Sequence, residues 1–366
     1  MFSISLVSRI KLLQWLNVVA LLVGTALLQA QTTLTAAQLS LEEKNRLLQS
    51  LQTAIRDNYV FPDLALKIVD DLNTFKNSAQ YVSTADAKSL AALLKEHLQD
   101  FAHDRHLGVE YSTKILRAGE PFDSPSTVEE IERRLKTRRA RNFCFQKVER
   151  MPGNIGYLDL QCFDDPEMAG STATAAMQFL SNSDALIIDL RQNGGGSPEM
   201  VAFLISYLVG PSQVHLNDLR FRKDNRVQQS WTLPYVPGKR LPETSVFVLT
   251  SNRTFSAAEE FTYDLQALKR ATTVGEVTRG GANFGASFVL GEHMVAFIPI
   301  GRAENPVTKN NWEGVGVTPD VPVAAGKALD TAYLLALQKN RTGPNSLQLQ
   351  SEIETAIRET EIRLKQ

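Results

Sequence analysis

The chain has 366 residues, 43% of them hydrophobic and 22% charged, which are ordinary values for a globular protein and enough length for two domains. A formal net charge of −1 excludes a general nucleic-acid or anionic-membrane binder, because counterion release needs a dense field of Lys and Arg. A neutral or peptide-like partner suits this balance.

Residues 1–30 carry Arg9 and Lys11 ahead of the apolar stretch "LLQWLNVVALLVGTALLQA", with no acidic residue before Glu42. The pattern is that of a secretory signal peptide, and the small Ala30 suits a cleavage site. Leu28 is larger than such sites prefer, and the stretch is long enough to span a bilayer, so a retained anchor stays open. The protein is expected to be exported, periplasmic or extracellular, or held at a membrane by this segment alone.

Residues 35–104 have helical periodicity, starting at a Ser-x-x-Glu box formed by Ser40 and Glu43, and predict a small three-helix domain. A charged connector over 113–142 follows, with six basic residues between 133 and 141. That run reads as the solvated face of a helix rather than a nucleic-acid patch. "FCFQKVE" and "IGYLDLQCF" flank a turn at Pro152-Gly153, so a hairpin would set the two cysteines, Cys144 and Cys162, nearly opposite each other. An exported compartment would let them pair, and two buried thiols are the alternative.

Beyond the hairpin the texture becomes α/β. "DALIIDL" predicts a strand, "RQNGGGS" a loop, and "PEMVAFLISYLVG" a helix with Ser197 as cap and Pro198 at its first position. "SVFVLT", a helix from about Ser256, and "ATTVGEV" repeat that order, implying a mainly parallel sheet with right-handed crossovers. The glycine loop and Ser256 both fall at carboxyl ends of strands, where such sheets place function. "GASFVLG" and "HMVAFIPIG" predict paired strands, "NNWEGVGVTPDVPV" an ordered loop, and the remainder two closing helices.

Ser256 and Glu259 form a second Ser-x-x-Glu box, which a helix cap alone would explain. The Gly194-Gly195-Gly196 loop matches neither G-x-G-x-x-G nor a P-loop, yet exposed backbone N–H groups there would serve an oxyanion hole. A base for a nucleophilic serine must come from His97, His103, His106, His215 or His293, each of which could also be structural. The spacing of His103 and His106 gives only weak support for zinc.

"ALIIDLRQNGGG", "VLTSNRTFSAAEEF", "GEVTRGGANFG" and "EGVGVTPDVPV", in that order, resemble the tail-specific (C-terminal processing) serine peptidase family. "DRHLGVEY" and the helical N-terminal region look like its branch related to interphotoreceptor retinoid-binding protein and the tricorn core peptidase. The resemblance runs over residues 34–337. It implies an α/β, crotonase-like (ClpP/crotonase) sheet domain over 143–340, preceded by a helical-bundle domain over 31–112 and followed by a helical tail over 341–366. By position it makes Ser256 the nucleophile, with Ala257 N–H and a glycine at 194 or 195 as oxyanion donors. Many members use a Lys in an "FGKG"-like segment downstream of the nucleophile; here that segment reads "TRGGANFG", with Arg279 and no lysine, and arginine, always protonated, cannot accept the serine proton.

Tricorn-like members instead use a His and a Glu, matched here by His106 and Glu313, the logic of a Ser-His-acid triad. Arg105 stands where those members have a serine, which departs from a four-member relay. Glu313 on its own would read as a surface carboxylate. The connector is too short for the PDZ domain many members carry, so specificity would reside in the cleft. The expected activity is hydrolysis of peptides or unfolded proteins through an acyl-enzyme, without metal or cofactor. The alternative is a non-catalytic binder of apolar ligands or peptides on the same fold.

Overall fold

The computed structural model describes residues 38–117, 127–343 and 346–366, so the signal-like segment lies outside the described residues. The N-terminal region opens with α1 (Leu41–Asn58), where the Ser40 N–H donates to the Glu43 carboxylate at 2.8 Å and the Glu43 N–H donates to Ser40 Oγ at 3.2 Å. Helix α2 (Pro62–Phe75) starts on a proline, α3 (Ala79–Ser83) is a single turn, and α4 (Ala87–Ala102) is capped by Asp86. There are thus four helices rather than the three expected, because a five-residue turn is too short to display a 3.6-residue period. Their apolar faces bury Leu51, Ile55, Ile68, Leu72, Leu90 and Leu98 completely, each contributing roughly 1.5–3 kcal/mol.

This core is not self-contained. It includes Met294, Ala296 and Ile298 from a distant strand, so the helices pack directly against a sheet. The chain leaves α4 through His103, in the left-handed region at φ 53, and enters β1 (Gly108–Tyr111). The short run 103–107 between these two elements carries His106. The basic run of the connector forms α5 (Val128–Ala140), which has no buried residue.

The hairpin is formed by β2 (Phe145–Met151) and β3 (Ile155–Leu160), turning at Gly153 with φ 77. Cys144 and Cys162 are joined in a disulfide with Cα atoms 5.3 Å apart. Helix α6 (Pro166–Phe179) leads to β4 (Ala185–Asp189), all five of whose residues are buried, and α7 (Pro198–Leu208) follows. A second hairpin, β5 (His215–Phe221) and β6 (Val227–Trp231), interrupts the α/β rhythm. The sequence hides it: β6 is largely exposed, so no buried alternation marks it.

Strand β7 (Ser245–Thr250), helix α8 (Ala257–Ala267) and strand β8 (Ala271–Gly275) continue the crossovers. Strands β9 (Asn283–Gly291) and β10 (Met294–Glu304), the short β11 (Val321–Pro322), α9 (Ala325–Asn340) and α10 (Leu347–Lys365) complete the described chain.

One sheet has the order β11-β8-β7-β4-β3-β2, parallel throughout except for β2. Apolar residues from α6, α7 and α8 cover one face and those from α9 and α10 the other. A strand covered on both faces reads as a continuous apolar run, as "ALIID" does. The second sheet is antiparallel, β1-β10-β5-β6 with β9 also on β10. Pairing of Gly108 with Phe297 ties the His106 turn to this sheet. No described helix is long and apolar enough to cross a membrane.

Candidate active site

Between β7 and α8 the backbone makes a sharp strand-to-helix turn at Ser256, with φ 55 and ψ −123. A non-glycine residue there is strained by about 1–3 kcal/mol and persists only where its surroundings hold it. The restraints are specific. The Phe255 N–H donates to the Asn193 carbonyl at 3.1 Å, and the Ser256 N–H donates to the Glu259 carboxylate at 2.9 Å. The Glu259 N–H donates to the Ser256 carbonyl at 2.8 Å, while the Ser256 hydroxyl makes no cap hydrogen bond of its own. The Glu259 half of the box is therefore made, its carboxylate taking the Ser256 N–H, while the Glu259 N–H turns to the carbonyl and not to Oγ.

The glycine loop packs onto this turn. A Cβ at Gly195 would lie 2.8 Å from Ser256 Cβ and 2.9 Å from the Phe255 carbonyl oxygen, and the residue has φ 107, so only glycine fits. Its N–H donates to Asn193 Oδ1 at 2.8 Å and is thereby committed within the loop. Asn193, fully buried, also donates from Nδ2 to the Leu160 carbonyl at 2.9 Å. Gly194 faces open space. Ala257, the first helical residue, has no intrahelical acceptor for its N–H, which points along the positive end of α8.

Glu259 is more than a cap. It is fully buried, and its carboxylate accepts from Thr278 Oγ1 at 2.5 Å, Gly280 N–H at 2.6 Å and Gly281 N–H at 2.8 Å, besides the Ser256 N–H. Burial raises its pKa, opposed by these donors. One side chain thus fixes the 278–281 loop against the serine turn. Sequence reasoning found the box and missed this larger role, for which a buried carboxylate gives no sequence signal.

His106 is held through its backbone, its N–H donating to Asp104 Oδ1 at 3.0 Å. Asp104 Oδ2 accepts from Tyr59 Oη and from Asn283 Nδ2, each at 3.1 Å, joining the helical region to β9. The His106 ring lies against Phe255, with centroids 4.4 Å apart, and a Cβ at Gly281 would come within 2.6 Å of His106 Cε1. Glu313 Oε2 accepts from the Ala282 N–H at 2.5 Å and the Asn283 N–H at 2.8 Å. Both side chains thus converge on residues 281–283. Yet His106 Nδ1 and Glu313 Oε1 are buried without a hydrogen-bond partner, as is Asn283 Oδ1. Among the described residues no hydrogen bond joins Ser256 to His106, or His106 to Glu313.

Burial pulls the His106 imidazole down to about 4, with the Asp104 carboxylate opposing and Arg279 adding to the shift. Burial pushes the Glu313 carboxyl up to about 7, helped by Asp104 and opposed by the two backbone donors. Both groups are held toward their neutral forms. The two functional halves open onto different cavities: Ser256, Ala257 and Gly281 line one of about 250 Å³, and His106, Phe255, Arg105 and Arg279 line another of about 430 Å³. Among the described residues no group of three or more His, Cys, Asp or Glu is placed to hold a metal ion.

Residues 154–323 match peptidase family S41, and residues 26–141 match the N-terminal domain of peptidase S41 in eukaryotic IRBP. The chain belongs to peptidase family S41. Within that family it is 31% identical over 174 residues to the chloroplastic carboxyl-terminal-processing peptidase 2 of Arabidopsis thaliana. That match covers 46% of this chain and 32% of the relative, so the chain spans about a third of that protein's length.

Two solved structures share the fold of this S41 chain. One is a candidate peptidase of Parabacteroides merdae ATCC 43184, 19% identical with a TM-score of 0.54, covering 82% of this chain and 99% of that one. The other is a lipoprotein of Streptococcus agalactiae, 12% identical with a TM-score of 0.51, covering 81% and 96%. The match over residues 154–323 spans the serine turn, the glycine loop and the 278–283 segment already described.

Proposed function

We propose that this S41 protein is a serine peptidase that hydrolyses peptide bonds through an acyl-enzyme, with Ser256 as nucleophile, His106 as general base and acid, and Glu313 orienting the imidazole. The observation that carries this reading is the strained Ser256 turn, whose hydroxyl is left out of the cap while the adjacent Ala257 N–H stands at a helix start. That pairing of an exposed Oγ with its neighbour's N–H is what acyl transfer requires. With the Gly195 N–H committed to Asn193, Ala257 and the open Gly194 are the oxyanion donors of choice.

Attack by Ser256 Oγ on a substrate carbonyl passes the serine proton to His106, which delivers it to the leaving amine; water then reverses the sequence to free the acid. We assign the parallel sheet to the crotonase-like class, with residues 31–112 as a helical domain and 143–340 as the catalytic domain. We place the protein outside the cytosol, a reading supported by residues 1–30 and by the Cys144–Cys162 disulfide. Peptides or unfolded proteins are the substrates.

The missing Ser256–His106 bond favours one rival, a binding protein that keeps the fold without turnover. A fluorophosphonate probe separates the two. Wild type should label and Ser256→Ala should not; label surviving the substitution rejects the nucleophile, and a wild type that never labels favours the binder.

A further inference from the structure

The cavity shared by Ser256 and Ala257 has apolar walls from Leu219, Phe221, Phe284 and Trp312, and its polar lining comprises Glu260 with Glu199, Gln228 and Asn283. Glu260 stands four residues after Ser256, one turn along the start of α8, and therefore on the same side of the helix. It is 7% exposed. Its Oε1 accepts from Asn217 Nδ2 at 3.1 Å, while Oε2 has no hydrogen-bond partner among the described residues. One turn further on, the fully buried Asp264 accepts from the same Asn217 amide at 3.1 and 3.0 Å and from Asn305 Nδ2 at 3.0 Å.

Two buried carboxyl groups thus divide two amides between them, and no Lys or Arg lines the cavity. Burying acids without a counter-cation is costly, and burial pushes Glu260 up to about 8. An ammonium or guanidinium entering the cavity would supply the opposite charge to Oε2, and the aromatic and aliphatic walls would take its methylene stem.

The side of the scissile bond follows from the proposed chemistry. Histidine protonates the leaving amine, so the leaving-group side lies toward the cavity of His106, and the separate Ser256 cavity receives the acyl-side residue. We propose that Glu260 is a specificity-determining residue that selects a lysine or arginine side chain on the acyl side of the scissile bond. This rests on the peptidase reading above for its orientation, but not for its occupancy.

The test is therefore one of binding. Calorimetry on the Ser256→Ala protein would compare alanine-rich hexapeptides carrying one lysine or one norleucine, which share a stem and differ in the charge. Lysine should bind about tenfold more tightly or better. Adding Glu260→Gln, checked for an unchanged melting transition, should bring that ratio close to one. The lysine–norleucine comparison stands on its own should that variant misfold. Equal or tighter binding of norleucine, preference for a glutamine peptide, or no binding of the lysine peptide overturns the assignment. A protein that prefers lysine but never reacts with fluorophosphonate sinks the peptidase reading and leaves the pocket standing; labelling without lysine preference does the reverse.

Discussion

The serine turn and the His106–Glu313 region adjoin the same loop, yet they are finished to different degrees. At the Ser256 turn itself Asn193 holds the glycine loop and Glu259 accepts from four donors. Around His106 three buried polar atoms have no partner. An unpaired buried group costs about 1–3 kcal/mol, so this region gains most from rearrangement or from a bound substrate. Contacts among strand-end loops of the parallel sheet build the nucleophile half, whereas the base half joins a turn after α4 to loops around β9 and β10. The lesson is that a rigid nucleophile can be assembled within the parallel-sheet region alone, while its base depends on how the helical region seats on the antiparallel sheet.

The largest effect that would test this contrast is on reactivity. His106→Ala should lower the rate of fluorophosphonate labelling by about 10²–10⁴, the usual contribution of a general base, with the melting transition little changed. Unchanged labelling would mean that His106 is not the base.

A titration of stability then reports whether burial holds His106 and Glu313 neutral in solution. A Glu313 carboxyl raised to about 7 binds more protons folded than unfolded, so its contribution is present below about pH 4.5 and lost as pH rises through 7. A His106 imidazole lowered to about 4 does the opposite: its contribution is present above about pH 6.5 and lost as pH falls through 4. Each amounts to about 3 kcal/mol by linkage, and between about pH 4.5 and 6.5 they oppose each other. Urea denaturation of Glu313→Gln should therefore show stability rising with pH across that window, and His106→Gln should show it falling. Slopes of the opposite sign would mean that burial does not hold these groups neutral, and would sink that description.

The difference between the halves also decides what could be read from sequence. Ser256, its neighbour Ala257 and the glycine loop lie at strand ends that apolar runs such as "SVFVLT" and "ALIIDL" announce, so their approach is legible from local pattern. The position of His106 beside residues 281–283 is not, because it depends on pairing of Gly108 with Phe297 across almost the whole chain. The single-turn helix α3 and the exposed strand β6 escaped for the same physical reason, lacking enough buried periodicity to register. Glu259 was visible as a cap, but the three donors it gathers from residues 278–281 belong to tertiary structure.

That gathering makes Glu259 the next point at which to break the finished half. In Glu259→Gln the amide oxygen can retain part of the donor set, but its NH2 must face backbone N–H groups. The expected loss is about 1–3 kcal/mol in urea denaturation, together with slower labelling, because the Ser256 turn loses its restraint. A stability loss with labelling unchanged would show that the turn holds its shape without Glu259.

The smallest effect should come at Arg279, and its smallness is informative. The exposed guanidinium lies 5.1 Å from the Phe255 ring centroid and lowers the His106 pKa slightly, so it touches the base half only at its edge. Arg279→Ala should change the labelling rate by less than about fivefold, the scale of an exposed cation–π contact of about 0.5–1 kcal/mol. The residue is the one basic side chain of the 278–281 loop, and a guanidinium, always protonated, cannot accept a proton. Loss of labelling as deep as that expected for His106→Ala would therefore mean that the guanidinium, while not taking the proton, is needed to hold the imidazole or Phe255 in place. A small change, with labelling lost in His106→Ala, leaves the imidazole as the base and Arg279 as a rim charge against its ring stack.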